Sequence, residues 1–290
     1  MLFFMEPLTL FRNFLKIRNY SEYTQRDYIR SVMSWLRFNE KHGLAINDGH
    51  YLGAFLQSRD VGKRTMNHDL SALRTFFHFL SEHYQMEVPK EILKVSPKFE
   101  SKLPNFFTVE QIELLLSVPD KLFQSGQLNE FFWRRDKAIL ELLYGGGIRV
   151  GELVKLCCSH VDWSSKTIRV LGKGRKERII PIGAPALKAL LALHACITTD
   201  VLIPGESGKA LTPRLVQLLI KKYLRAANLP LTMTPHSCRH SYATHMLQNG
   251  ANLRAVQALL GHANLSTTQK YTHVDINFLQ KVYNQAHPQK

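Results

Sequence analysis

Between residues 88 and 107 the chain reads VPKEILKVSPKFESKLPNFF, with three prolines, four lysines and two serines. Helical periodicity does not survive such a stretch, because proline lacks the N–H that a helix needs and fixes its own backbone. Apolar patterning is strong on both sides of it. The 290 residues are therefore expected to divide around it. They are read as residues 1–90 and 108–275, two domains joined by a linker over 91–107, with a tail over 276–290.

The first domain reads as helices. Ser21 is placed to cap a run in which Tyr28, Ile29, Val32, Met33, Trp35 and Leu36 follow helical spacing. Farther on, VGKRTMNHDLSALRTFFHFLSEHY puts Leu70, Leu73, Phe76, Phe77 and Leu80 on one stripe, which is a core face. Lys63, Arg64 and Arg74 fall off that stripe and face either phosphates or solvent.

The second domain is mostly helical with one β interlude. Thr108 followed by Gln111 is a capping-box pattern. A helix over about 132–144 ends in Gly145-Gly146-Gly147, and another is expected over about 150–157. VDWSSKTIRVLGKGRKERIIPI alternates and is β-branched, with Gly172-Lys173-Gly174 as a tight basic turn between strands. Thr212-Pro213 and Thr234-Pro235 each put a cap before a proline at the first helical position, and Gly250 and Gly261 are placed as helix stops. The fold class is mainly α with a small β-hairpin or sheet, that is, α+β.

Composition narrows the partners. The net charge is +15. Residues 1–100 carry 14 basic and 11 acidic side chains, residues 101–290 carry 24 and 12, so the excess is concentrated in the second part. A polyanion such as nucleic acid is the expected partner, against plain solubility or an anionic membrane surface. No apolar run is long enough to span a bilayer, and the start lacks a basic region followed by a cleavage site, so a cytoplasmic protein is expected. The four cysteines, Cys157, Cys158, Cys196 and Cys238, match neither a disulfide framework nor a zinc signature and are read as buried thiols.

One segment, TPHSCRHSYATHM, concentrates chemistry. With Thr234 as N-cap, His236 and Arg239 share the first turn and one face of a helix, whose free N–H groups favour an anion. His236 and His240 have the spacing of metal ligands, but Arg239 between them repels a dication, and a purely structural cap is the third reading. Elsewhere Arg149 follows the glycine run, with Glu152 three residues on either orienting its guanidinium or forming an ordinary surface pair. Lys173 tips the hairpin, His262 follows a glycine stop, and Tyr271 lies nine residues later.

Taken in order, Arg149, Lys173, His236, Arg239, His262 and Tyr271 resemble the active-site signature of the tyrosine recombinases of the phage-integrase family. GIRVGELVKL, HSCRHSYATHM, LLGHANLSTTQKYTHV and the tail KVYNQAHP are most similar to the Xer branch, whose members resolve chromosome dimers. The resemblance covers nearly the whole chain. Its one departure is Cys238, where an apolar residue, often leucine, is common.

The resemblance implies a two-domain DNA clamp, a helical core-binding domain plus a mixed catalytic domain, acting without metal, ATP or other cofactor. Tyr271 is the implied nucleophile, forming a 3′-phosphotyrosyl link. Arg149 and Arg239 would neutralise the phosphate, Lys173 would protonate the leaving 5′-oxygen, His236 would act as general base and His262 as hydrogen-bond donor. Lys63, Arg64, Arg74, Arg175, Lys176 and Arg178 are expected to track the DNA backbone. The implied partners are a double-stranded recombination site, a homo- or hetero-tetramer on two such sites and a septal DNA translocase, with no membrane and a place on the nucleoid. The tail, with apolar Ile276, Phe278, Leu279, Val282 and Tyr283, docks on a neighbouring subunit in the family; the alternative is that it packs on its own domain. A mobile-element integrase, a type IB topoisomerase and a non-catalytic DNA-binding regulator are the competing functions.

Overall fold

A computed structural model describes residues 5–94, 106–172, 177–261 and 274–289. The chain divides into two compact units, residues 1–102 and 103–290.

The first unit is all helical. It contains α1 (Met5–Ile17), α2 (Glu22–His42), α3 (Leu52–Ser58), α4 (Lys63–Tyr84) and α5 (Lys90–Lys94). Ser21 caps α2 by accepting the Thr24 N–H at 3.2 Å, and Gly43 stops it in the left-handed region at φ 66°. The α4 stripe Leu70, Leu73, Phe76, Phe77 and Leu80 is fully buried against Trp35 and Leu36 of α2 and Phe11 and Leu15 of α1. Burying each such side chain is worth about 1.5–3 kcal/mol. Ser31 donates to the buried carboxylate of Asp69 at 2.6 Å, a polar tie between α2 and α4.

The structure differs from the sequence reading at both ends of the linker. Helix α5 occupies its first residues, and Ile92 is completely buried in the first unit. At the other end Phe107 is completely buried in the second. Lysines and prolines surround both residues and mask their roles as anchors.

The second unit starts with α6 (Val109–Gln124), α7 (Glu130–Gly145) and the single turn α8 (Val150–Leu153). The capping box is present: Thr108 Oγ1 accepts the Gln111 N–H at 3.2 Å, and Gln111 Oε1 accepts the Thr108 N–H at 3.0 Å. Helix α8 ends four residues short of the expected 157; Cys157 instead forms an isolated antiparallel bridge with Val201, and a short 3₁₀ segment follows at Cys158–His160. Three antiparallel strands follow in order, β1 (Val161–Asp162), β2 (Thr167–Leu171) and β3 (Glu177–Pro181). Register pairs Ile168 with Ile180 and Val170 with Arg178. Then come α9 (Ala184–His194), α10 (Pro213–Ala226), α11 (Pro235–Gln248), α12 (Leu253–Leu260) and α13 (Val274–Ala286).

One further expectation changes. Only Cys238 is a buried thiol, its pKa pushed up to about 12 by burial, whereas Cys196 is exposed at the end of α9 and Cys157 and Cys158 are half-buried. The tail helix α13 packs on its own unit: Tyr283 and Ala286 enter the core, with Leu279 and Val282 against it, while Phe278 is exposed. Tyr283 stacks between Tyr242 of α11 and His287, at centroid distances of 6.5 and 4.7 Å. Burying the large Tyr283 ring removes apolar surface from water, which favours this packing. No helix among the described residues is long and apolar enough to cross a membrane.

Candidate active site

The site begins where α7 runs out. Gly147 has φ 56°, and a Cβ there would come within 2.9 Å of the Tyr242 ring on α11. Glycine is therefore needed twice, for the backbone conformation and for the close approach. The close approach that the glycine permits is to helix α11.

Arg149 follows as the N-cap of α8. Its backbone N–H donates to Glu152 Oε2 and its Nη1 to Glu152 Oε1, each at 2.9 Å. Glu152 is buried, so the pair is not the ordinary surface one that the spacing allowed. It also takes both ends of Arg178 from β3, Nη1 at 2.8 Å and Nη2 at 2.7 Å, a bidentate pair.

Arg239, the fifth residue of α11, is buried and donates from Nη1 to the Gly147 carbonyl at 2.6 Å and from Nη2 to the Leu260 carbonyl. The end of α12 thus meets three guanidinium groups. Leu259 O accepts from Arg178 Nε at 3.2 Å, Leu260 O from Arg239, and Gly261 O from Arg149 Nη2 at 3.4 Å. The last carbonyls of a helix have no partner within it and carry partial negative charge, which suits cations.

Three guanidinium groups surround one carboxylate, so positive charge is in excess. Burial works to raise the Glu152 pKa, but the Arg178 and Arg149 hydrogen bonds outweigh it and hold the carboxyl down at about 2. Arg239 is pulled down to about 9, first by burial and then by the neighbouring charges of Arg149 and Arg178. An incoming anion relieves that repulsion, and the Arg149 side chain, 35% exposed, is the guanidinium most open to one.

His236 is exposed on the first turn of α11, whereas Arg239 turns inward, so the two do not share one environment. His240 packs edge-on against Phe106. The Thr234 N–H donates to Ser237 Oγ at 3.1 Å, so the cap at this helix start is made by Ser237 rather than by the Thr234 side chain. Lys173, Arg175, Lys176, His262 and Tyr271 lie outside the described residues. Lys63 and Arg64 are exposed at the start of α4.

Two of the expected DNA-backbone contacts need correction. Arg178 is spent on Glu152 and Leu259 and is an internal member of the cluster. Arg74 is half-buried and donates from Nε to the Ile92 carbonyl at 3.0 Å, tying α5 to α4. In the sequence both look like surface cations. The signal for Arg178 was the strand register: cross-strand partners share a face, and its partner Val170 is buried.

Residues that the sequence reading did not single out support α11 from behind. His245 and Tyr144 are buried and hydrogen-bonded to each other at 3.0 Å, and Ser241 accepts the Phe107 N–H at 2.7 Å. Their signal was weak, a Ser and a His four apart on a helix whose sequence shows no clear apolar face.

Residues 105–277 match the phage integrase family, and residues 8–83 match the N-terminal SAM-like domain of phage integrases. The chain belongs to the phage integrase family of tyrosine recombinases. Tyrosine recombinase XerC of Anoxybacillus flavithermus is 38% identical to this recombinase over 97% of this chain and 97% of its own length. Tyrosine recombinase XerD of Staphylococcus aureus is 41% identical over 76% of this chain and 75% of its own. Among solved structures, the XerH recombinase bound to palindromic difH substrate in a post-cleavage complex superposes with a TM-score of 0.72, at 23% identity over 91% of this recombinase and 80% of that chain. A lambda integrase tetramer bound to a Holliday junction gives a TM-score of 0.67 at 15% identity, covering 92% and 79%. At these identities the solved structures establish the fold of the recombinase.

Proposed function

We propose that this tyrosine recombinase cuts and rejoins duplex DNA at a specific site through Tyr271, and that it serves the Xer role of resolving chromosome dimers. The observation that carries the chemistry is the excess of guanidinium charge around Glu152, with Arg149 open to solvent.

The reaction balances without a cofactor. The Tyr271 oxygen attacks the scissile phosphorus, forming a phosphotyrosyl bond at the 3′ side while the bond to the 5′-oxygen breaks. Lys173 gives a proton to that oxygen, His236 takes the proton of the tyrosine hydroxyl, and His262 donates to a non-bridging oxygen. Arg149 and Arg239 neutralise the charge that gathers on the pentacoordinate phosphorus, a task guanidinium forks suit by geometry. Because the covalent link keeps the ester energy, the reverse attack by a 5′-hydroxyl reseals the strand. Lys63 and Arg64, exposed on α4, supply backbone contacts from the first unit, with Arg175 and Lys176 doing so from the hairpin.

On the same reading residues 1–90 and 108–275 close as a clamp on one duplex, four chains of one or two kinds assemble on two sites in the nucleoid, and a septal translocase activates them. The exposed Phe278 on α13 is the apolar group available to a neighbouring subunit. Support for the Xer role is the near-complete coverage of the XerC relative in both directions.

The test is a nicked suicide duplex carrying a candidate chromosomal site, incubated with the protein in chelator. A covalent protein–DNA adduct that disappears in Tyr271→Phe is expected. Adduct formation that survives Tyr271→Phe, or that needs a divalent metal, sinks the mechanism.

A further inference from the structure

We propose that Arg178 is a positioning residue for strand cleavage: by holding Glu152 and the end of α12 together, it sets the spacing at which Arg149 and Arg239 share one phosphate. The inference rests on the catalytic roles proposed above for those two arginines.

The Arg178 guanidinium is fully engaged inside the protein. Its side chain is 10% exposed, and three of its nitrogens are bound within the cluster, Nη1 and Nη2 to the two Glu152 oxygens and Nε to the Leu259 carbonyl. It therefore ties β3 to α8 and to α12 at once. Among the described residues, the other partners of Glu152 are the Arg149 backbone and guanidinium, which Glu152 is itself positioning. The stem of Arg178 also lies directly under the α12 stop. A Cβ at Gly261 would approach Arg178 Cδ at 2.8 Å, and Gly261 holds φ 62°. Only a glycine lets the α12 end settle on Arg178 while presenting its last carbonyls to Arg239 and Arg149.

Without Arg178, the buried Glu152 keeps Arg149 as its bonded cation and the Leu259 carbonyl loses its donor. Arg149 is then drawn onto Glu152 rather than shared with an anion, and the α12 end, from which the chain leaves toward His262, loses one of its three anchors. A fork is needed here; a lysine reaches one oxygen at a time.

The experiment uses the full chain and the suicide duplex. DNA affinity and the rate of adduct formation at saturating protein are measured for the wild type, Arg178→Ala, Arg178→Lys, Glu152→Gln and the Arg178→Ala/Glu152→Gln double variant. The expected result is unchanged affinity, with adduct formation slowed roughly tenfold or more in Arg178→Ala and less in Arg178→Lys. The double variant should be no slower than the slower single one, because the two residues act as a unit. If Arg178→Ala does not fold, Arg178→Lys, checked by its thermal melt, carries the same comparison. Wild-type cleavage rates in the Arg178 variants, parallel losses of affinity and rate, or multiplicative effects in the double variant overturn the proposal. A wild-type protein that forms no adduct overturns the catalytic reading and this inference with it, so the two failures are distinct.

Discussion

His245 donates from Nε2 to the carbonyl oxygen of Phe107, 3.0 Å away and 138 residues earlier in the chain. One turn before it on α11, Ser241 takes the N–H of the same Phe107. The point where the chain enters the second unit is thereby pinned to the helix that carries Arg239. Burial favours the neutral ring, in which Nε2 carries the proton given to the carbonyl and Nδ1 accepts from the Tyr144 hydroxyl.

Stability should therefore fall on mild acidification. Burial lowers the pKa of His245 and pulls that of His287 down to about 4. The unfolded chain takes up protons below about pH 6.5 that the folded chain refuses, so unfolding gains in favour as pH drops from there toward about 4. For His287 the total over that window is about 3 kcal/mol. Thermal midpoints between pH 7 and pH 5 check this: they should decline, and less steeply in His287→Gln. A flat profile in the wild type contradicts it.

Ser241→Ala leaves the buried Phe107 N–H without an acceptor. The expected cost is about 1–3 kcal/mol of folding free energy, read from urea unfolding followed by tryptophan fluorescence. An unchanged midpoint means that the N–H has found another partner and that the pin is dispensable.

Gly147→Ala strains the left-handed backbone by about 1–2 kcal/mol and pushes a methyl into the Tyr242 ring. The Gly147 carbonyl that holds Arg239 moves with it. Adduct formation on the suicide duplex should fall at least about tenfold with DNA affinity little altered. Retention of the wild-type rate would show that Arg239 does not depend on this carbonyl.

Salt titration of DNA binding separates surface cations from internal ones. Neutralising Lys63 or Arg64, both exposed on α4, should reduce the slope of log affinity against log salt by about 0.9 for each phosphate that the variant no longer neutralises. Arg178→Ala should leave the slope alone, because its guanidinium is occupied by Glu152. A slope reduced by Arg178→Ala and untouched by Lys63→Ala reverses the assignment.

Helices and caps were legible in the order of residues alone. Ser21, the Thr108–Gln111 box, the Leu70–Leu80 stripe and the Gly261 stop each act within a few residues, so local spacing was enough to place them. The ordered set from Arg149 to Tyr271 likewise marked the family, because residue types in chain order are a sequence property. What the cations do was settled by folding in three dimensions. Arg178 and Arg74 look the same in sequence as Lys63 and Arg64, yet two turn inward and two outward. The choice rests on strand register and on which carbonyls and carboxylates come near, and those partners lie far away in sequence, 26 residues for Glu152 and 81 for Leu259. Long-range partners of a charged side chain leave no local pattern, because the side chain's own neighbours in sequence do not supply the groups that satisfy it.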